Sequence, residues 1–146
     1  MLHYDDLMGN SQSGASAARA SNEALAAFKL YTQAFGALDA KAVSRHFHEP
    51  ALLVTPREVL ALPNAAAVEQ TYQQIMHDMP ADYVRTDFRN LTEHRLGDDI
   101  ALVSGDGSWK NAANEDIMPF GMTYTLKRSG NTWLIVSAVI HAHGMH

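Results

Sequence analysis

The stretch EALAAFKLYTQAFGALDAKAVSRHF, residues 23–47, predicts two successive helices. Its first half predicts an amphipathic helix, because apolar residues recur at the three- and four-residue spacing of a single helical face. Ser21 or Asn22 can cap this helix, and its apolar face holds Ala24, Leu25, Phe28, Tyr31, Phe35 and Leu38. Asp39 is the expected cap of a second, short helix over DAKAVSRHF, which Pro50 stops.

The segments that follow favour an α+β fold. ALLVT and REVLAL predict short strands, and Asn64 caps a third helix whose apolar face holds Val68, Tyr72, Ile75 and Met79. Strand-like alternation then dominates in DYVRTDFRNLTEHRL, IALVSGDGSWK, PFGMTYTLKR and TWLIVSAVIHAH, with turns between them. Because helices come first and strands later, we expect a largely antiparallel sheet, not alternating βαβ units.

Composition narrows the class of protein. The 146 residues suit one domain, and a hydrophobic content of 47% favours a globular chain. A net charge of −5 with scattered basic residues gives no reason to expect a nucleic-acid partner. No run approaches the length of a membrane span, so no membrane partner is expected either. The absence of cysteine excludes disulfides and thiolate chemistry and suits a cytoplasmic location.

The first twenty residues differ from the rest. Residues 9–20 are rich in Gly, Ser, Asn and Ala, a composition that favours a flexible leader, so we divide the chain into a leader, 1–20, and a single domain, 21–146. The alternative is an arm that packs on a partner subunit through its four large apolar residues, Leu2, Tyr4, Leu7 and Met8.

The order of these elements resembles the nuclear transport factor 2-like superfamily, which includes SnoaL-like cyclases and ketosteroid isomerases. The resemblance covers residues 23–142 and rests on AAFKLYTQAF, LDAKAV, LLVTP, NAAAVEQ, GDDIALVSG and TWLIVS. It implies a strongly curved antiparallel or mixed sheet wrapped around three N-terminal helices, forming a cone with one open end. It also implies pairing of two copies through the outer face of the sheet.

Ketosteroid isomerases combine an aspartate base with a tyrosine and a protonated aspartate. Alignment through KLYTQAF places Tyr31 at the tyrosine position, whereas Thr55 and Met122 stand where the resemblance would place the two carboxyl groups. Neither a threonine nor a methionine can replace a carboxylate in proton transfer at neutral pH. Ketosteroid isomerase activity is therefore not expected, and Tyr31 could also be a plain core tyrosine.

The histidines form two HxH pairs, at His46 and His48 and at His141 and His143. Two histidines on one strand face supply at most two of the four ligands that a zinc site uses, so no dedicated metal site and no cofactor are predicted. His141 is the one histidine assigned to the site, because simple alternation places it on the face of Trp133 and Ile135. A neutral imidazole there could exchange a proton near neutral pH.

The leading hypothesis is a SnoaL-like domain that binds a small hydrophobic molecule, and an enzyme acting on a carbonyl-containing or ring compound stays open. Glycines that share a strand face with Trp109 in SGDGSW either leave room for this ligand or only allow the sheet to bend. The predicted pocket comprises Tyr31, Thr55, Trp109, Met118, Met122, Tyr124 and His141, with Tyr31 and His141 as catalytic candidates. The alternative is a non-catalytic dimeric scaffold with a filled interior.

The last strand predicts a homodimer. In TWLIVSAVIHA, Trp133, Ile135 and Val139 alternate with four further apolar residues, Leu134, Val136, Ala138 and Ile140. Helices cover only one face of such a sheet, and a large exposed apolar patch is rare on a soluble monomer. A second copy packed against the outer face would cover it.

Overall fold

The computed structural model describes residues 22–142, and both the leader and His143 lie outside them. Three helices occur in the described range: α1 (Glu23–Gly36), α2 (Ala40–Ser44) and α3 (Ala65–Asp78). Six strands accompany them: β1 (Phe47–Val54), β2 (Val59–Leu62), β3 (Arg85–Arg95), β4 (Ile100–Lys110), β5 (Asp116–Ser129) and β6 (Thr132–His141). None of these helices is long and apolar enough to cross a membrane.

The strands form one mixed sheet in the order β2-β1-β6-β5-β4-β3. Only β1 and β6 run parallel to each other, and every other neighbouring pair is antiparallel. Helix α1 contacts β3, β4 and β6, while α3 contacts β1 and β2, so the helices cover one face of the sheet. The α+β class and the mixed sheet predicted from the sequence are confirmed.

Local sequence explains where two of the helices begin. Asn64 accepts a hydrogen bond from the Ala67 amide at 2.9 Å, and Asp39 accepts one from the Ala42 amide at 3.0 Å. Both are side-chain caps of the kind that the sequence predicts. Helix α1 differs, because the Asn22 side chain makes no cap bond. A carboxylate from the sheet, that of Glu93, accepts the Leu25 amide instead at 2.8 Å.

The second helix is shorter than predicted, and Pro50 does not stop it. Helix α2 ends at Ser44, and Phe47 already begins β1. The carbonyl of His46 accepts the Ile135 amide at 2.8 Å, so pairing with β6 overrides the local helical pattern. Pro50 lies where the register between β1 and β6 shifts, a position at which a missing amide hydrogen is tolerated.

A bulge in β6 changes which residues face the helices. Thr125 pairs with Ser137 while the next residue of β5, Leu126, pairs with Ile135, so Val136 is the extra residue of a β-bulge. Before the bulge, Trp133 and Ile135 face inward. After it, the inward residues are Ala138, which is buried, and Ile140, which packs against the core. His141 therefore lies on the outer face, and the prediction that it shares the face of Trp133 and Ile135 is wrong.

The core is centred on helix α1. Phe28 is 1% exposed, and its ring lies 5.2 Å from that of Tyr124, 5.5 Å from that of Phe88 and 5.8 Å from that of Tyr31. Leu38, predicted on the same apolar face, is half exposed, because α1 ends at Gly36 and Leu38 has a positive φ of 56°. The apolar face of α1 thus ends one turn earlier than its sequence pattern.

Candidate functional site

A cavity of about 190 Å³ lies between helices α1 and α3 and the inner face of the sheet. Its wall consists of aromatic, aliphatic and hydroxyl-bearing residues, without a charged or imidazole side chain among the described residues. These are Tyr31, Thr32, Phe35, Leu53, Thr55, Tyr72, Ile75, Thr86, Phe88, Trp109, Met118, Phe120, Met122, Tyr124 and Ile140. The wall is therefore mainly apolar, and its polar side-chain groups are hydroxyls and the Trp109 indole N–H.

Three tyrosines from three elements meet at its deep end. The hydroxyl oxygen of Tyr31, on α1, lies 3.0 Å from that of Tyr72, on α3, and 2.9 Å from that of Tyr124, on β5. All three residues are at most 5% exposed. We call Tyr31, Tyr72 and Tyr124 the tyrosine cluster.

The tyrosine cluster holds three hydroxyl protons, and its two closest oxygen–oxygen contacts use two of them. Each hydroxyl carries one proton, and two bonds join the three oxygens. Two protons lie within these bonds, and because Tyr124 also interacts with Tyr72, the third can be shared inside the cluster or donated to an acceptor in the cavity. A hydroxyl that already accepts a hydrogen bond is polarised and becomes a better donor. The cluster can therefore donate a hydrogen bond to an acceptor that enters the cavity.

Burial keeps these hydroxyls protonated. It raises the pKa of Tyr124 to about 12, against the effect of its hydrogen bonds with the two neighbouring tyrosines. Burial, and next the proximity of Tyr124, raise the pKa values of Tyr31 and Tyr72 well above their usual range. At neutral pH the cluster is thus a neutral hydrogen-bond donor, not a phenolate base.

The shallow end of the cavity is lined by larger, more exposed side chains. Trp109 stacks on Phe35 with ring centroids 6.3 Å apart, and Tyr83 contacts the same indole edge-on at 5.8 Å. Met118 pairs with Trp109 across the β4–β5 ladder and is 42% exposed. We call this end, around Trp109 and Met118, the mouth of the cavity.

Six of the seven residues predicted for the pocket lie in the cavity wall: Tyr31, Thr55, Trp109, Met118, Met122 and Tyr124. His141 does not, because the β6 bulge turns it outward. Its ring fills the space above Gly121 on the outer face, and its Nε2 lies 3.1 Å from the Thr123 hydroxyl oxygen. Tyr31 is therefore the one of the two catalytic candidates that reaches the cavity.

Sequence reasoning missed the part that Tyr72 plays. Its helical spacing from Val68 correctly predicts burial, and its relative exposure is 2%. The meeting of its hydroxyl with Tyr31 depends on how α3 packs against α1, and no sequence pattern carries that information. Phe88 and Thr86 were missed as wall residues as well, although the alternation of β3 places them on one face.

The glycines of SGDGSW leave no room for a ligand. A side chain at Gly107 would meet the ring of Phe120 at 2.5 Å, and one at Gly105 would meet the Leu91 side chain at 2.9 Å. These inward positions are filled by neighbouring side chains of the protein itself. The glycines therefore allow close packing inside the sheet, and the prediction that they leave room for a ligand is wrong.

Within residues 22–142, no three His, Cys, Asp or Glu side chains come together as a metal site would require. His48 instead contacts the Pro50 carbonyl oxygen through Nδ1 at 2.8 Å. Burial, and next the nearby Arg45, lower the pKa of the half-buried His46. Neither histidine lines the cavity.

A mixed sheet with helices on one face and an internal cavity defines the class of NTF2-like α+β domains. The model of the family described as NTF2-like protein (DUF6841) matches residues 22–143, and the chain belongs to this family. A comparison with curated proteins finds no match.

Solved structures share the fold at low sequence identity. An NTF2-like protein of unknown function from Pseudomonas putida KT2440 is 15% identical, with a TM-score of 0.70 over 85% of this chain and 87% of that one. Another from Shewanella oneidensis MR-1 is 14% identical, with a TM-score of 0.67 over 82% and 97%. A ketosteroid isomerase-like protein from Erwinia carotovora atroseptica SCRI1043 is 17% identical, with a TM-score of 0.62 over 84% and 95%. At these identities the likeness concerns the fold alone.

Proposed function

We propose that this protein binds a small, neutral, mostly apolar molecule that carries an oxygen able to accept a hydrogen bond. The observation that carries the proposal is the tyrosine cluster, whose three neutral hydroxyls meet at the buried end of an uncharged cavity. A carbonyl oxygen of a ring compound suits this donor, because it accepts a hydrogen bond and carries no charge.

The volume of the cavity supports a ligand of one or two rings. A dry apolar cavity of about 150 Å³ accommodates benzene, whereas pockets for drug-sized ligands reach about 300–1,000 Å³. At about 190 Å³ this cavity lies near the lower figure. A rigid four-ring steroid would exceed it.

The charge of the wall supports a neutral ligand. A carboxylate or an ammonium group would lose its hydration on entry, and no wall residue offers a compensating charge. The raised pKa values of the tyrosines add to this selection, since the cluster stays uncharged across the physiological range.

Binding is supported better than catalysis. The tyrosine cluster could polarise a carbonyl group, yet Thr55 and Met122 occupy wall positions where an isomerase would use carboxyl groups. Proton abstraction next to a carbonyl needs a base, and the described wall contains none. The proposal therefore does not include ketosteroid isomerase activity.

The test compares 1-indanone with indane, which has the same rings but no oxygen. We expect 1-indanone to bind about tenfold more tightly by calorimetry, the contribution of one hydrogen bond in a buried site. Tyr124→Phe should bring the two affinities close together. Thr92→Val is the matched control, because it removes a hydroxyl that is bonded to Ser104 and does not line the cavity.

Equal affinities for the two compounds in the wild-type protein would refute the role of the tyrosine cluster. If neither compound binds at millimolar concentration, the cavity is not a binding site for small ring compounds and the proposal fails.

The outer face of the sheet supports a second proposal, concerning assembly. We infer that two copies pair through this face, because Leu52 is 42% exposed there and Leu134, Val136 and Val139 of the neighbouring strand β6 are partly exposed. Pairing would give the dimeric scaffold that is the alternative function, and it is compatible with ligand binding at the inner face.

A further inference from the structure

Two of the exposed apolar side chains stand at the mouth of the cavity. Met118 is 42% exposed and Val84 is 51% exposed. Met118 pairs with Trp109 across the sheet, and the Val84 amide donates to the carbonyl of Lys110, the next residue along, at 2.8 Å. They therefore lie on the two sides of β4 at the mouth.

Val84 and Met118 extend the cavity-lining face of the sheet beyond the mouth. Val84, Thr86 and Phe88 alternate along the chain, and the last two line the cavity. Met118, Phe120 and Met122 alternate in the same way, and all three line it. Exposure along β5 rises from 0% at Met122 to 42% at Met118. We call Val84 and Met118 the mouth shelf, an apolar surface that extends the cavity wall into solvent.

The hydroxyls of Tyr83 and Thr86 near the mouth are bonded to each other at 2.8 Å, so the two ends of the site differ in the polar groups that can meet a ligand. The hydrogen-bond donors of the tyrosine cluster lie at the buried end, and the exposed apolar side chains lie at the open end. A ligand matched to this arrangement has its oxygen on the part that enters first and its apolar part pointing outward. The cavity volume holds one or two rings, so a longer molecule must extend past Trp109.

We propose that the ligand is an elongated ring ketone whose alkyl chain, attached opposite the carbonyl group, leaves the cavity and lies on the mouth shelf. This inference rests on the proposed function and adds the orientation and the class of the ligand. A chain attached next to the carbonyl group would instead meet the buried tyrosine rings.

The test uses 4-alkylcyclohexanones and their 2-alkyl isomers with chains of one to eight carbons, by displacement of 1-indanone in calorimetry. Full burial of a methylene group corresponds to about fourfold in affinity, so a half-covered chain should give about twofold per methylene. We expect this gain in the 4-alkyl series, and 4-octylcyclohexanone should bind at least about tenfold more tightly than its 2-octyl isomer.

The shelf is tested by Val84→Gln, which should lower the affinity ratio of 4-octyl- to 4-methylcyclohexanone by about threefold or more. Leu30→Gln is the matched control, because Leu30 is 55% exposed on α1 and does not line the cavity, so the ratio should not change. An equal reduction of this affinity ratio in both variants would refute the role of the mouth shelf.

The failures of the two proposals are distinguishable. In one outcome, 4-methylcyclohexanone binds, Tyr124→Phe lowers its affinity, and longer alkyl chains do not raise the affinity. The proposed function then holds, and the proposal of an elongated ligand is wrong. If the 2-alkyl isomers bind as tightly as the 4-alkyl series, the orientation is wrong. If no cyclohexanone and no 1-indanone binds, the proposed function itself fails.

Discussion

The polar groups near the two ends of helix α1 have different roles. At the N-terminal end, the Glu93 carboxylate accepts the Leu25 amide, and its other oxygen lies 3.9 Å from the Arg95 guanidinium. Arg95 in turn stacks over Trp133 at 4.7 Å, and the Trp133 indole donates to Glu23 at 3.0 Å. At the C-terminal end, α1 presents Tyr31 to two other neutral hydroxyls.

The difference lies in what each end leaves available. The charged groups at the N-terminal end are engaged with each other, with the helix terminus and with an aromatic ring, so this end fixes the position of α1 on the sheet. The tyrosine cluster is neutral, and its three residues line the cavity. Structural and ligand-binding polar groups are thus separated along a single helix of 14 residues.

The largest effect is expected between these two ends, at Phe28. Phe28→Ala should lower the free energy of unfolding by about 3–5 kcal/mol, because the side chain is fully enclosed. Phe35→Ala should cost only about 1–2 kcal/mol, because Phe35 is partly exposed and borders an existing cavity. Urea denaturation measures both, and equal losses would show that the C-terminal end of α1 is packed as tightly as its centre.

Glu93→Gln tests the structural role of the N-terminal end of α1. The variant keeps the shape of the side chain but removes the charge next to Arg95 and the helix N-terminus, which should cost about 1.5–3 kcal/mol in urea denaturation. Glu58→Gln, an exposed position, should change stability by no more than about 0.5 kcal/mol. A change in 1-indanone affinity in Glu93→Gln would contradict the separation of the two ends.

Stability at alkaline pH tests the raised pKa of the tyrosine cluster, which α1 contacts through Tyr31. The pKa of Tyr124 is raised from 10.0 to about 12 in the folded state, so above pH 10 the unfolded chain loses its proton first. The folded state then holds more protons, and the free energy of unfolding falls as pH rises. Up to pH 11.5, about 1.5 pH units above the unfolded pKa, this single group accounts for a loss of about 2 kcal/mol.

The measurement is urea denaturation from pH 8 to pH 11.5 in the wild type and Tyr124→Phe. The variant should lose less stability over this range, and a difference should emerge only above pH 10. Parallel curves for the two proteins would mean that the Tyr124 hydroxyl ionises as easily folded as unfolded.

The smallest effect on folding is expected on the outer face. Val136→Glu should change the stability of the folded chain by about 0.5 kcal/mol or less, yet convert a homodimer to a monomer in light scattering at micromolar concentration. Ala138→Glu is the contrasting variant, because Ala138 is 0% exposed and a buried unpaired charge should unfold the protein. A monomeric wild type over that concentration range would refute the assembly proposal.

Local patterns predicted most of the fold. The caps at Asp39 and Asn64, the helical spacing of Phe28 and Tyr31, and the alternation of β4 all act between residues close in sequence. The α+β class, the confirmed helix starts and the wall positions of Trp109, Met122 and Tyr124 follow from such local rules.

Three features depended on contacts between residues distant in sequence. Pairing with Ile135 ended α2 early, the extra residue at Val136 reversed the orientation of His141, and Phe120 filled the space that Gly107 left open. In each case a neighbouring strand or side chain, and not a local preference, decided the outcome.

The sequence by itself determined that three tyrosines would be buried, because each lies on the apolar face of a helix or strand. Only the tertiary structure decided that their hydroxyls would meet, since Tyr31 is 41 residues from Tyr72 and 93 residues from Tyr124. Periodicity records which face of an element avoids water. It does not record which other element that face will touch, and the hydroxyl cluster of this site exists only through that contact.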